Sequence, residues 1–124
     1  MFIDFLIDGR SLYELVKRHG FIPVLEPEDK NLELRISELT LVRLSPLGGN
    51  RYPIFVCAQC GDLDCGYISA IIEESNNMIC WRDFKKGEDM KLNHIGPFYF
   101  KQRDYNNELN RATPTASRPI APLL

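Results

Sequence analysis

Four cysteines carry most of the chemistry this sequence could do, and three of them fall in one run, Cys57-Ala-Gln-Cys60-Gly-Asp-Leu-Asp-Cys65-Gly. A Cys-x-x-Cys pair on a tight loop lets two thiolates converge on a tetrahedral zinc ion, which is half of a structural zinc site. Cys65 could be a third ligand, and His94, Asp62 or Asp64 could complete the set. Cys80 is expected elsewhere. With a turn at Asn76-Asn77 it should fall opposite Ile72 or Glu73, on the order of 25 Å along the strand from Cys65 at about 3.3 Å per residue. The preferred reading of Cys57, Cys60 and Cys65 is small buried thiols in a hairpin loop, with no metal and no other cofactor. Dithiol catalysis would want the pair at a helix N-terminus, where the dipole lowers the thiol pKa. Here the pair follows a strand and enters a hairpin.

Hydrolytic chemistry finds no better support. His19 and His94 have no nucleophile and orienting carboxylate beside them in the sequence. His19 reads as a charge-complementing residue at a helix end and His94 as a loop residue. Asp62, Asp64 and Asp83 read as solvated acids flanking turns, and Gly48-Gly49 and Gly61 as turn glycines rather than a phosphate-binding loop. In Trp81-Arg82-Asp83-Phe84, strand alternation puts Trp81 and Asp83 on one face and Arg82 and Phe84 on the other. Trp81 is expected in the core, and Arg82 paired with a neighbouring acid. No catalytic residue is assigned, and the expectation is a protein that is not an enzyme.

The elements that must position these residues are readable in outline. The first eight residues suggest a strand ending at an Asp8-Gly9 turn. Ser11 followed by Glu14 is a capping-box pattern that starts a helix carrying Leu12, Leu15 and Val16 on one face. Lys17, Arg18 and His19 suit its negative end, and Gly20 its stop. After a turn-rich stretch at Pro23 and Pro27, Leu32, Leu34 and Ile36 alternate with polar residues and predict a half-buried strand. The continuation Leu39, Leu41 and Leu44 shifts that phase and leaves a short helix as the alternative. The centre predicts an antiparallel meander over 53–57, 66–74 and 78–84, turning at Ser75-Asn76-Asn77. A polar loop follows over 85–93, then a short apolar segment over 95–100 and a helix from about 101 to 111, with Tyr105 and Leu109 inward.

At 124 residues, 44% hydrophobic and 26% charged, the chain has the size and composition of one globular domain. The reading is a single α+β domain over residues 1–111, an antiparallel β-meander sheet flanked by two helices. A Pro-rich C-terminal tail, expected to be disordered, follows over 112–124. A formal net charge of −2 argues against nucleic acid, which wants a basic patch. No apolar run approaches the ~18 residues of a membrane span. The N-terminus lacks a basic leader and carries Asp4 and Asp8 within its apolar stretch, so a cytoplasmic protein is expected. In that compartment the cysteines should be thiols or metal ligands rather than a disulfide framework.

Taken in order, Phe5-Leu6-Ile7-Asp8-Gly9-x-Ser11-Leu12-x-Glu14-Leu15, Cys57-x-x-Cys60-Gly61-Asp62-Leu63-x-Cys65-Gly66, Trp81-x-Asp83-Phe84 and Ile95-Gly96-Pro97-Phe98-x-Phe100 form a signature over about residues 2–110. It resembles a family of small bacterial proteins of unassigned biochemistry, sometimes labelled oxidoreductases, although no nucleotide fingerprint accompanies the label here. Proteins of this kind are similar to the immunity proteins of contact-dependent growth inhibition. Those bind and neutralise the toxic C-terminal domain that a neighbouring cell delivers. The resemblance implies a protein toxin, with a nuclease-like domain, as partner. Glu73, Glu74, Glu88 and Asp89 are the acids that could steer such a basic domain. A small zinc-binding or thiol-redox protein is the alternative.

Overall fold

Local turn chemistry sets the first element. Asp8 and Gly9 both take positive φ, 53° and 78°, and reverse the chain between β1 (Leu6–Ile7) and β2 (Arg10–Ser11). The computed structural model describes residues 2–27, 29–59 and 63–111; the expected tail from residue 112 lies outside them. Ser11 caps α1 (Leu12–Val16), its hydroxyl accepting from the Glu14 amide at 3.1 Å. The same hydroxyl donates to the Asp4 carboxylate, which also accepts from the Tyr13 amide. Glu14 does not reach back to the Ser11 amide but pairs with Lys17. A 3₁₀ turn, Lys17–His19, extends the helix to Gly20, whose φ of 82° ends it.

The main sheet is antiparallel and mostly in chain order. β3 (Phe21–Pro23), β4 (Arg51–Cys57), β5 (Tyr67–Ser75), β6 (Met78–Lys86) and β7 (Met90–Lys91) lie side by side, and β8 (Phe98–Lys101) pairs with the other half of β6. Asn76 and Asn77, with φ of 52° and 64°, make the tight β5–β6 turn. Glu73 therefore stands opposite Cys80, in the register the turn predicted. The α+β class is as read from the sequence. The described residues hold three α-helices rather than two: α2 (Leu32–Leu39) replaces the strand expected over 32–36, and α3 (Gln102–Asn110) is the expected last helix. Leu32, Ile36 and Leu39, at i, i+4 and i+7, are all buried, so the helical period prevails over the alternating one. Arg35 adds an i, i+3 ion pair of the kind a helix favours, one of its guanidinium nitrogens donating to both carboxylate oxygens of Glu38. The polar loop expected over 85–93 is in part strand, since β6 runs to Lys86 and β7 follows the turn.

Alternation along β6 fails at Asp83. Ser69 pairs with Lys85 and Ile71 with Arg82, so Ala70 of β5 faces both Asp83 and Phe84. The extra residue is a bulge, with Asp83 at φ 55°. Trp81 and Phe84 are consequently both buried, against the expectation of opposite faces. Arg51 clamps the bulge from two strands away. One of its nitrogens donates to the Ser69 hydroxyl at 3.0 Å and the Asp83 carbonyl at 2.9 Å, and the other meets the Asp83 carboxylate.

Trp81 is fully buried at the centre of the core, with edge-on ring contacts to Phe5, Phe100 and Tyr105. Its indole N–H donates to the Tyr105 hydroxyl at 3.1 Å, and that hydroxyl donates to the Leu39 carbonyl. One line of hydrogen bonds thus joins β6, α3 and α2. Burial pushes the Tyr105 phenol well above its ordinary pKa. No helix among the described residues is long and apolar enough to cross a membrane.

Two substitutions test this account. Tyr105→Phe leaves the Trp81 donor and the Leu39 carbonyl unpaired in the core and should cost about 1–3 kcal/mol; an unchanged denaturant midpoint would show the line to be idle. Ser11→Ala should cost about 1 kcal/mol through loss of the cap. If its midpoint coincides with that of the unaltered protein, Ser11 is not what holds α1.

Candidate functional site

Antiparallel pairing assigns each side chain of the sheet to a face. Phe98, Trp81 and Ile72 share the face that meets Phe5 and α3. The next row along, Glu73, Cys80 and Tyr99, is on the opposite face. Arg82, opposite Ile71, adjoins that row, and Ser75, Met78 and Lys101 form the row beyond it. Tyr99 is 53% exposed, Arg82 is exposed, and Cys80 and Glu73 are half-buried. Arg82 forms the expected ion pair, its guanidinium donating to the Glu73 carboxylate at 2.9 Å. Burial raises the Cys80 thiol pKa, partly offset by Arg82 and the Tyr99 hydroxyl. β8 pairs with β6 alone, so among the described residues its outer edge presents unpaired backbone groups.

The acids singled out in the sequence are not one cluster. Glu73 is on this open face, but Glu74, opposite Ile79, belongs to the other one. Glu88 and Asp89 sit exposed in the β6–β7 turn, at the far end of the hairpin, ~20 Å from Glu73 at about 3.3 Å per residue. Tyr99 was not singled out, although its place between Phe98 and Phe100 on a strand signals an outward aromatic.

The cysteine loop lies at the opposite end of β5. Cys57 ends β4, and Cys65 ends a 3₁₀ turn, Leu63–Cys65, just before β5. Residues 60–62, and with them Cys60 and Asp62, are outside the described residues, as is the side chain of Asp64. Cys57 and Cys80 are free thiols, whereas Cys65 is disulfide-bonded, which corrects the expectation of thiols throughout. The pairing of Val56 with Tyr67 closes the base of the loop. A disulfide sulfur offers no thiolate to an ion. Cys80, opposite Glu73, is remote from the loop, as the hairpin register required. Among the described residues no three His, Cys, Asp or Glu side chains converge as a metal would need.

Beside this loop is a cationic corner. The Gly20 carbonyl accepts from the Ala58 amide, which sets His19 near the end of β4. Lys86 lies over the Phe21 ring, 5.7 Å from its centre. His19 Nε2 is shielded from water and has no hydrogen-bond partner. Burial lowers the His19 pKa below its ordinary 6.5, and Lys86, Arg18 and His94 lower it further. The unfolded chain therefore takes up this proton first as pH falls. Stability from His19 should be complete above about pH 6.5 and lost as pH drops through the folded-state pKa. Denaturant midpoints between pH 7.5 and 5.5 should accordingly fall less steeply for His19→Gln than for the unaltered protein; equal slopes would place the titrating group elsewhere.

Comparison with protein-family models, with curated proteins and with solved structures finds no match to this chain. The family resemblance of the ordered motifs rests on those residues alone.

Proposed function

We propose that this protein is a cytoplasmic immunity protein, without catalysis of its own, that binds and neutralises a protein toxin of the contact-dependent growth inhibition type. The observation that carries the reading is Tyr99, a half-exposed aromatic on the edge strand β8, on the same sheet face as exposed Arg82 and half-buried Glu73. Tyrosine and arginine are the residue types in which binding energy concentrates, and an open strand edge can accept a strand from a partner. Glu73 adds negative charge where a basic toxin surface would dock, and Glu88 and Asp89 act at longer range through encounter.

A second reading, a thiol–disulfide protein, is favoured by one observation: Cys65 is disulfide-bonded while Cys57, on the neighbouring strand end, is a free thiol. Co-expression with the product of the adjacent toxin gene separates the two. Tyr99→Ala and Glu73→Lys should each weaken toxin binding about tenfold or more and abolish protection, with the thermal melt retained. Cys57→Ser and Cys65→Ser, if folded, should protect as the unaltered protein does. Folded cysteine variants that fail to protect favour the thiol reading, and no binding to any neighbouring gene product removes the immunity reading.

A further inference from the structure

We infer that the cavity between the β1–β2 turn, α1 and the β7–β8 connection is a binding site for a small organic carboxylate. The cavity has a volume of about 280 Å³. That is at the small end for ligand sites, the size for a single ring or short chain rather than a nucleotide. Leu12, Leu15 and Phe98 give it apolar walls, and Arg10, His94 and Asp8 give it polar ones.

Its cations are uncommitted. The ion pairs among the described residues use Lys17, Arg35, Arg51, Arg82 and Arg111, and none uses Arg10. A guanidinium is a fork whose two parallel N–H groups match the two oxygens of a carboxylate. His94 supplies a second donor to the lining. One turn on from Leu15 is His19, and the groups acting on it include the cations Lys86 and Arg18. The corner is thus locally positive on a chain whose net charge is −2. Asp8, at the tip of the turn, is the acid in the lining and offsets the charge of Arg10, so the preference for a carboxylate comes from the directed N–H groups of Arg10 and His94 rather than from a net positive charge. An anion with an apolar body satisfies both halves: the body lies against Leu12, Leu15 and Phe98, and the carboxylate meets Arg10 and His94. Inorganic phosphate would use only the second half, and a neutral ring only the first. The site shares no residue with the open face and stands whether or not the toxin reading holds.

The test is a titration of the full-length protein, followed by backbone amide NMR shifts, with benzoate, its neutral counterpart benzamide, and inorganic phosphate. Benzoate should give saturable shifts at Leu12, Leu15 and Phe98. Benzamide should bind about tenfold more weakly, as should benzoate to Arg10→Gln and to His94→Gln, because each change removes one charged hydrogen bond. Phosphate should leave the amides of Leu12 and Phe98 unmoved. Both substitutions are on exposed side chains, and the same spectra report whether each variant is folded. The inference is overturned if benzoate produces no saturable shift, if the shifts map to other residues, if benzamide binds equally well, or if both folded variants keep full affinity.

Discussion

A buried indole N–H must find an acceptor, and in this protein that requirement organises the core. Trp81 has no access to water, so its donor is satisfied only by the Tyr105 hydroxyl, which in turn needs the Leu39 carbonyl at the end of α2. Meeting both conditions fixes the distance of α3 from the sheet and the height of the α2 C-terminus above it. The rings of Phe5, Phe100 and Tyr105 then pack edge-on around the indole. A core built only of aliphatic side chains could tolerate small slides of one layer over another. This one cannot, because a slide would strand a polar group inside.

The second constraint is the bulge at Asp83. By inserting one residue it turns Phe84 to the side of Trp81, and it leaves the Asp83 carboxylate where Arg51 can hold it. The effect on the other face is as large. At the bulge Arg51 spans the sheet from Ser69 to Asp83, and before it Arg82, with Tyr99 on the neighbouring β8, is exposed. A local backbone irregularity therefore decides which side chains of β6 join the core.

Features encoded over a few residues were legible in the sequence. The Asp8-Gly9 and Asn76-Asn77 turns, the Ser11 cap, the Gly20 stop and the inward Tyr105 and Leu109 all follow from local preferences. Residues 32–39 were not, because Leu32, Leu34 and Ile36 fit a strand while Leu32, Ile36 and Leu39 fit a helix. Only the packing of that face, with the Arg35–Glu38 pair, breaks the tie. The bulge was hidden for a related reason, since Trp81-Arg82-Asp83-Phe84 looks regular until Arg51 arrives from a distant strand. Cys65 shows the limit of compartment arguments, which speak of thiols in general and not of the geometry of one loop. The cavity was illegible because Arg10 and His94 belong to opposite ends of the chain and meet only in the fold.

The two borders of the main sheet are not alike. β3 is three residues long and ends in Pro23, which has no amide hydrogen to offer a further strand. β8 is four residues long with a free outer edge and carries Lys101 among its outward residues. β7, which also pairs with β6 alone, is two residues long and offers little to a further strand. Two molecules meeting β8 to β8 would be related by a twofold axis, and each would thereby cover the other's β8 edge. Association through this edge would therefore end at a closed pair rather than propagate.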